Sequence, residues 1–168
     1  MTDPDFEDFL QARYAAMVRT AVLLTGSRTA GEDLLHEALI RTLATWGRVR
    51  ERGAAEAYVR TTMVRLLIRD RKRGWSGEIP HDRLPEHATG EDPATAVTVR
   101  AALRQLPAEQ RAAIVLRYYA DQSETQIAEA LNCAPGTVKS RISRGLQTLR
   151  ESGLLTDEPL PSSIGGAT

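Results

Sequence analysis

The sequence predicts an all-α protein of two small helical domains joined by a flexible linker. Three observations carry the prediction. Apolar residues recur at three- and four-residue steps along most of the chain, whereas sustained alternation, the strand signal, is absent. One stretch, residues 74–95, breaks that periodicity with prolines, glycines and acids. It divides the 168 residues into two pieces, each close to the lower size limit of a self-sufficient core.

Each element follows from local chemistry. Residues 5–25 place Phe6, Phe9, Leu10, Tyr14, Met17, Val18, Ala21 and Leu24 at helical spacing, and Gly26 ends that helix. Residues 30–46 repeat the pattern with Leu35, Leu39, Leu43 and Trp46. Gly47 and Gly53 bound a segment read as a flexible basic loop, with Arg48, Arg50 and Arg52. Residues 54–73 predict a third long helix, with Tyr58, Val59, Thr62, Met63, Leu66 and Leu67 inward. Its other faces carry Arg60, Arg65, Arg69, Arg71, Lys72 and Arg73. The first domain is therefore assigned to residues 1–73 and an acidic Pro/Gly linker to 74–95. Leu103, Leu106, Ile114, Val115 and Tyr118 mark a second domain over 96–152, and Pro159, Pro161, Gly165 and Gly166 predict a disordered tail over 153–168.

Charge is zero overall but unevenly distributed. Residues 1–40 carry three basic and seven acidic groups, 41–73 ten and three, 74–99 one and five, and 135–150 four and none. Two basic blocks in an otherwise acidic chain suggest two contacts with a polyanion; solvated helix faces are the plainer reading of either block alone. Other function classes find little support. Cys133 is the single cysteine, so neither an internal disulfide nor a cysteine zinc site can form. His36, His81 and His87 are scattered, and neither a GxxxxGK[ST] loop nor an HExxH pair occurs. No apolar run approaches the roughly 20 residues of a membrane span, and the acidic start is unlike a secretory signal. The expectation is a cytoplasmic protein with no catalytic, metal or cofactor site.

The most informative stretch is Ser123 to Arg150. Ser123 followed by Gln126 is a capping box opening a short helix with Ile127, Ala128 and Leu131 apolar. Asn132 can adopt the left-handed conformation that ends it, and Pro135 suits the first turn of the next helix. There Val138, Ile142, Leu146 and Leu149 share one face. Thr137, Ser140, Arg141 and Arg144 are read as the opposite face, with Lys139 at its flank. Two short helices around a tight turn, the second basic and rich in hydroxyls, predict a DNA-binding helix-turn-helix.

These residues resemble a family. Ser123-Glu124-x-x-Ile127-Ala128-x-x-Leu131, then Gly136-Thr137-Val138-Lys139-Ser140-Arg141-x-x-Arg144-Gly145-x-x-x-Leu149-Arg150, is similar to region 4 of bacterial sigma factors of the extracytoplasmic-function group. Leu106-Pro107, Arg111 and Leu116-Arg117-Tyr118 match that group's LPxxxRxxxxLRY segment. Ala30 to Ala38 resembles the region 2 signature, and Tyr58 to Arg73 the helix that meets the −10 element. The resemblance spans about residues 5–152 and leans toward the actinobacterial sigma-E-like branch. The chain departs from the pattern at His36, where many members have Gln, at Arg65, where many have Asn, and at Ala134, where the family has a capping Ser.

What the resemblance implies is specific. Core RNA polymerase would dock on the face bearing Asp33, His36, Glu37 and Arg41. The acids there also have a purely structural reason, since carboxylates favour a helix N-terminus. The loop with Arg48, Arg50 and Arg52 would capture an unpaired base of the −10 element, and Arg60, Arg65 and Arg69 would track phosphates. On the recognition helix Thr137, Lys139, Ser140, Arg141 and Arg144 would meet the −35 element; because such a helix enters the groove N-terminus first, Ser140 and Arg141 are assigned to reading bases and Lys139 and Arg144 mainly to holding phosphates. Core RNA polymerase, promoter DNA and an anti-sigma factor are the implied partners. The rival reading is a stand-alone helix-turn-helix regulator that binds an operator.

Overall fold

The structure is a computed structural model; it describes residues 3–51, 53–72 and 93–153. Those residues form eight helices: α1 (Pro4–Thr25), α2 (Arg28–Ala44), α3 (Trp46–Glu51), α4 (Ala55–Lys72), α5 (Pro93–Arg104), α6 (Ala108–Tyr118), α7 (Glu124–Leu131) and α8 (Pro135–Glu151). The chain divides into two compact units, residues 1–85 and 86–168.

In the first unit α1 packs on α2 and α4, and α2 on α4. Asp3 caps α1 by accepting the Asp5 N–H at 3.0 Å, and Gly26 ends it at φ 80°, its N–H bonded to the Val22 carbonyl at 2.7 Å. Ser27 then caps α2 through the Ala30 N–H at 3.3 Å. Met17, Ala21, Leu24, Leu35, Ala38, Val59, Met63 and Val64 fill the core. Burying each larger one stabilises by about 1.5–3 kcal/mol before entropy is counted. Gly31 lets α1 and α2 approach: a Cβ there would lie 2.9 Å from the Val22 backbone nitrogen.

Two expectations are corrected in this unit. The segment after Gly47 is helical through Glu51 rather than a loop. Its anchor is Trp46, edge-on to Phe6 at 5.0 Å and tilted against Phe9 at 5.3 Å between ring centroids, with Val49 buried beside it. Tyr58, expected inward, is 39% exposed, its ring lying at the surface beside the α2–α3 junction. Leu43, in the apolar pattern of α2, is 42% exposed, because α2 turns that side away from α1 and α4.

In the second unit α6, α7 and α8 pack around Ile114, Val115, Leu116, Ile127, Leu131, Val138 and Leu149, with Leu103 and Leu106 buried alongside. Helix begins at Pro93, so the last residues assigned to the linker belong to α5. The rest of the assigned linker, Arg52, Trp75, His81, His87 and the tail beyond Gly153 lie outside the described residues. Cys133 is half-buried at the turn between α7 and α8.

Candidate nucleic-acid interface

The helix-turn-helix is built as its sequence requires. The Ser123 hydroxyl oxygen accepts the Gln126 N–H at 3.2 Å, and the Gln126 side-chain oxygen accepts the Ser123 N–H at 2.9 Å. Asn132 takes φ 51°, and the next N–H, of Cys133, bonds back to the Ala128 carbonyl at 3.0 Å. Pro135 opens α8, and Ala134 supplies no side-chain cap. Gly145 lies against α6, where a Cβ would meet the Ile114 Cδ1 at 2.6 Å. This close approach fixes the side of α8 that is left outward.

That outward side carries Lys139, Ser140, Ser143, Arg144 and Gln147, all exposed, with Thr137 half-buried at its edge. Ser140 donates to the Gly136 carbonyl at 3.1 Å, so its hydroxyl oxygen can still accept a bond from outside. Lys139 stands 3.7 Å from the Glu124 carboxylate in an exposed ion pair. Arg141 is placed differently from the expectation. It is half-buried beside the apolar stripe, and its Nη1 is enclosed with no hydrogen-bond partner among the described residues. Three residues separate it from Val138, so it flanks the packed face instead of opposing it. Ser143 and Gln147 are surface positions the sequence reading missed; their spacing from Ser140 and Arg144 was the available signal.

The first unit presents its arginines unequally. Arg48 and Arg65 are exposed. Arg50 donates to the Asp5 carboxylate at 2.6 Å and stands 3.6 Å from Asp3. Arg60 is 17% exposed and paired with Glu56 at 2.8 Å. Arg69 pairs with Glu37 and with Asp70, each at 3.4 Å. Tyr58, Thr62, Arg65 and Arg69 recur at helical spacing on one side of α4, with the Tyr58 hydroxyl 3.5 Å from Thr45 Oγ1. An exposed aromatic ring thus joins a basic, hydroxyl-bearing strip.

On α2 the four residues singled out by the sequence fall on adjoining positions. Asp33 and His36 are exposed, and His36 Nε2 shares a hydrogen bond with the Tyr14 hydroxyl at 3.1 Å. Glu37 accepts from Arg41 at 2.8 Å. Beside them lie Leu43 and Ile40, the latter 69% exposed. Ile40 was not singled out by the sequence reading; its position one turn after His36 was the only hint. A large aliphatic side chain in water next to acids and a histidine suits a protein partner better than a nucleic acid. Among the described residues no group of three His, Cys, Asp or Glu could hold a metal ion, and no helix is long and apolar enough to cross a membrane.

Comparison with known proteins accounts for both units. Residues 6–76 match the family model of Sigma-70 region 2, and residues 96–149 that of Sigma-70, region 4. The RNA polymerase sigma-E factor of Streptomyces coelicolor is 32% identical over 160 residues, covering 91% of this chain and 88% of that one. The ECF RNA polymerase sigma factor SigL of Mycobacterium tuberculosis is 33% identical over 147 residues, 81% of each chain. Among solved structures, the sigma factor RpoE of Bartonella quintana, co-crystallised with the anti-sigma factor NepR, matches with a TM-score of 0.71 at 27% identity, over 89% of this chain and 96% of that one.

Proposed function

We propose that this chain, which belongs to the extracytoplasmic-function sigma factors of the sigma-70 family, binds core RNA polymerase through its first unit, meets the −10 element with the same unit and the −35 element with its second, and helps open the promoter. Transcription initiation is the work of the family, which is not an enzyme family. The step that makes RNA belongs to the polymerase, and the sigma factor works beside it in the cytoplasm.

The single observation that carries this reading is the pairing, within one unit, of two unlike surfaces. The α2 face with Asp33, His36, Ile40 and Leu43 suits a protein, and the α4 strip with Tyr58, Arg65 and Arg69 suits a nucleic acid. An operator-binding regulator needs the helix-turn-helix but has no use for that pairing. On α4, Arg65 and Arg69 hold the backbone, and Arg48 reaches it from α3. Tyr58 offers a face on which an unpaired base stacks, a contact worth about 1–3 kcal/mol and indifferent to base identity. Extracting the base costs a few kcal/mol, so stacking and phosphate contacts together offset the opening.

On α8, Lys139 and Arg144 hold phosphates while Ser140 and Arg141 read the major groove. By analogy with the RpoE complex, an anti-sigma factor is a further partner. In vitro transcription with core polymerase over a genomic library, with sequencing of the RNA starts, tests the proposal. Starts that appear only when this chain is added, downstream of shared −35 and −10 sequences, are expected. Absence of any added start would reject it.

A further inference from the structure

We infer that Arg50 is a positioning residue of the promoter-opening surface, held by Asp3 and Asp5, and does not itself touch nucleic acid. The inference rests on the reading of the first unit as the promoter-opening one. It separates Arg50 from Arg48, which sequence and charge alone treat alike.

The α3 helix has two sides. Trp46, Val49 and Arg50 fall together by helical spacing, and the first two are buried. Arg48 points to the other side and is exposed. Trp46 is packed by Phe6 and Phe9, so the side of α3 that carries Arg50 faces the start of α1. There Arg50 meets the Asp5 carboxylate at 2.6 Å and the Asp3 carboxylate at 3.6 Å. Asp3 is at the same time the cap of α1, with its Oδ1 accepting the Asp5 N–H. One guanidinium is thereby fastened to the carboxylate that starts one helix and to its neighbour. A phosphate approaching Arg50 would have to displace a carboxylate held at 2.6 Å with a second beside it; Arg69 is held more loosely, with both of its carboxylates at 3.4 Å, and Arg48 carries no ion pair among the described residues.

The pair is exposed, with Arg50 at 44% and Asp5 at 64% side-chain exposure, so it adds little to global stability. Its consequence is orientation. Trp46 and Val49 seat α3, and the Arg50 pairing ties its end to the start of α1, which sets where Arg48 presents itself to DNA.

The test uses the full chain assembled with core polymerase. Promoter opening is followed by 2-aminopurine fluorescence in the −10 element, with promoter binding measured over a range of salt. The variants are Arg50→Gln, the pair Asp3→Asn with Asp5→Asn, and all three together; Asn retains the capping ability of Asp3. Both the single and the paired variant are expected to slow opening by roughly two- to fivefold, the range of an exposed ion pair, with the triple variant no worse than either. The salt slope should not move. The exchange Arg50→Asp with Asp5→Arg should recover opening that Arg50→Asp alone loses. A fall of about one in the salt slope with Arg50→Gln would mean that Arg50 contacts phosphate and would overturn the inference. Unchanged opening in the carboxylate variant would overturn it too. Should Arg50→Gln fold poorly, the carboxylate variant decides, since it keeps the α1 cap.

Discussion

Glu37 on α2 and Arg69 on α4 are joined by an ion pair of 3.4 Å, and the same Glu37 oxygen accepts from Arg41 at 2.8 Å. A carboxylate beside the proposed polymerase face thus holds an arginine of the proposed −10 face. Asp33, one turn earlier on α2, makes no ion pair among the described residues and is exposed. The two acids are therefore not equivalent, although their spacing suggests that they are.

For polymerase docking, Asp33 and Ile40 should matter most. Asp33→Arg and Ile40→Ser are each expected to weaken binding of core polymerase about tenfold, or 1.4 kcal/mol, with thermal unfolding of the free chain unchanged. Glu37→Arg should weaken binding as well, and should also alter promoter binding because Arg69 loses a partner. Quantitative pull-down and calorimetry of the three variants check this; full binding by the Asp33→Arg, Ile40→Ser double variant would contradict it.

Tyr58 should act in opening and not in duplex binding. Tyr58→Ala is expected to lower the equilibrium for opening by about 1–3 kcal/mol, and Tyr58→Phe to keep most of it, because stacking uses the ring and not the hydroxyl. Comparing the variants on duplex promoter and on promoter carrying an unpaired −10 strand measures the effect. Equal losses for Ala and Phe would assign the role to the hydroxyl near Thr45.

Gly31 should be intolerant of any side chain. The Cβ of Gly31→Ala would stand 2.9 Å from a backbone nitrogen of α1, which cannot rotate aside as a side chain can. We expect a loss of about 1–3 kcal/mol, read as a lowered denaturation midpoint of the free chain. Gly136→Ala provides the contrast, since nothing lies within 4 Å of the added Cβ, and its stability should hold or rise slightly.

Arg141 and Arg144 should separate reading from holding. Arg144→Ala is expected to weaken all −35 variants alike and to lower the salt slope by about one, whereas Arg141→Ala should flatten preference among them at a cost of about 1–3 kcal/mol on the best sequence. Holoenzyme transcription over a library of −35 sequences at two salt concentrations distinguishes them. Identical profiles and slopes would show that the two arginines share one role.

What the sequence made legible was local. The Ser123–Gln126 capping box, the left-handed Asn132, Pro135 at the start of α8 and the Gly26 stop all appear in the structure as their residue chemistry requires. Each depends on neighbours within a few positions. What escaped depends on partners far along the chain. The helix α3 exists because Trp46 meets Phe6 and Phe9, some 40 positions away, and no local signal announces that. Leu43 and Tyr58 lie at helical spacing with core residues, yet packing covers only part of each helix, and periodicity does not say which part. Arg141 was set on the outward face by the same limitation. Arg50, Arg60 and Arg69 were legible as basic residues, but their carboxylate partners Asp5, Glu56 and Glu37 became evident only in three dimensions.

As a sigma factor, this chain should recognise a promoter only as part of the polymerase. The most direct measurement is the affinity of one promoter duplex for the free chain and for the chain bound to core polymerase, under the same salt. Weak, sequence-indifferent binding by the free chain and tight, sequence-specific binding by the complex are expected. Nanomolar, sequence-specific binding by the free chain, unchanged when core polymerase is added, would contradict the claim and identify an operator-binding regulator instead.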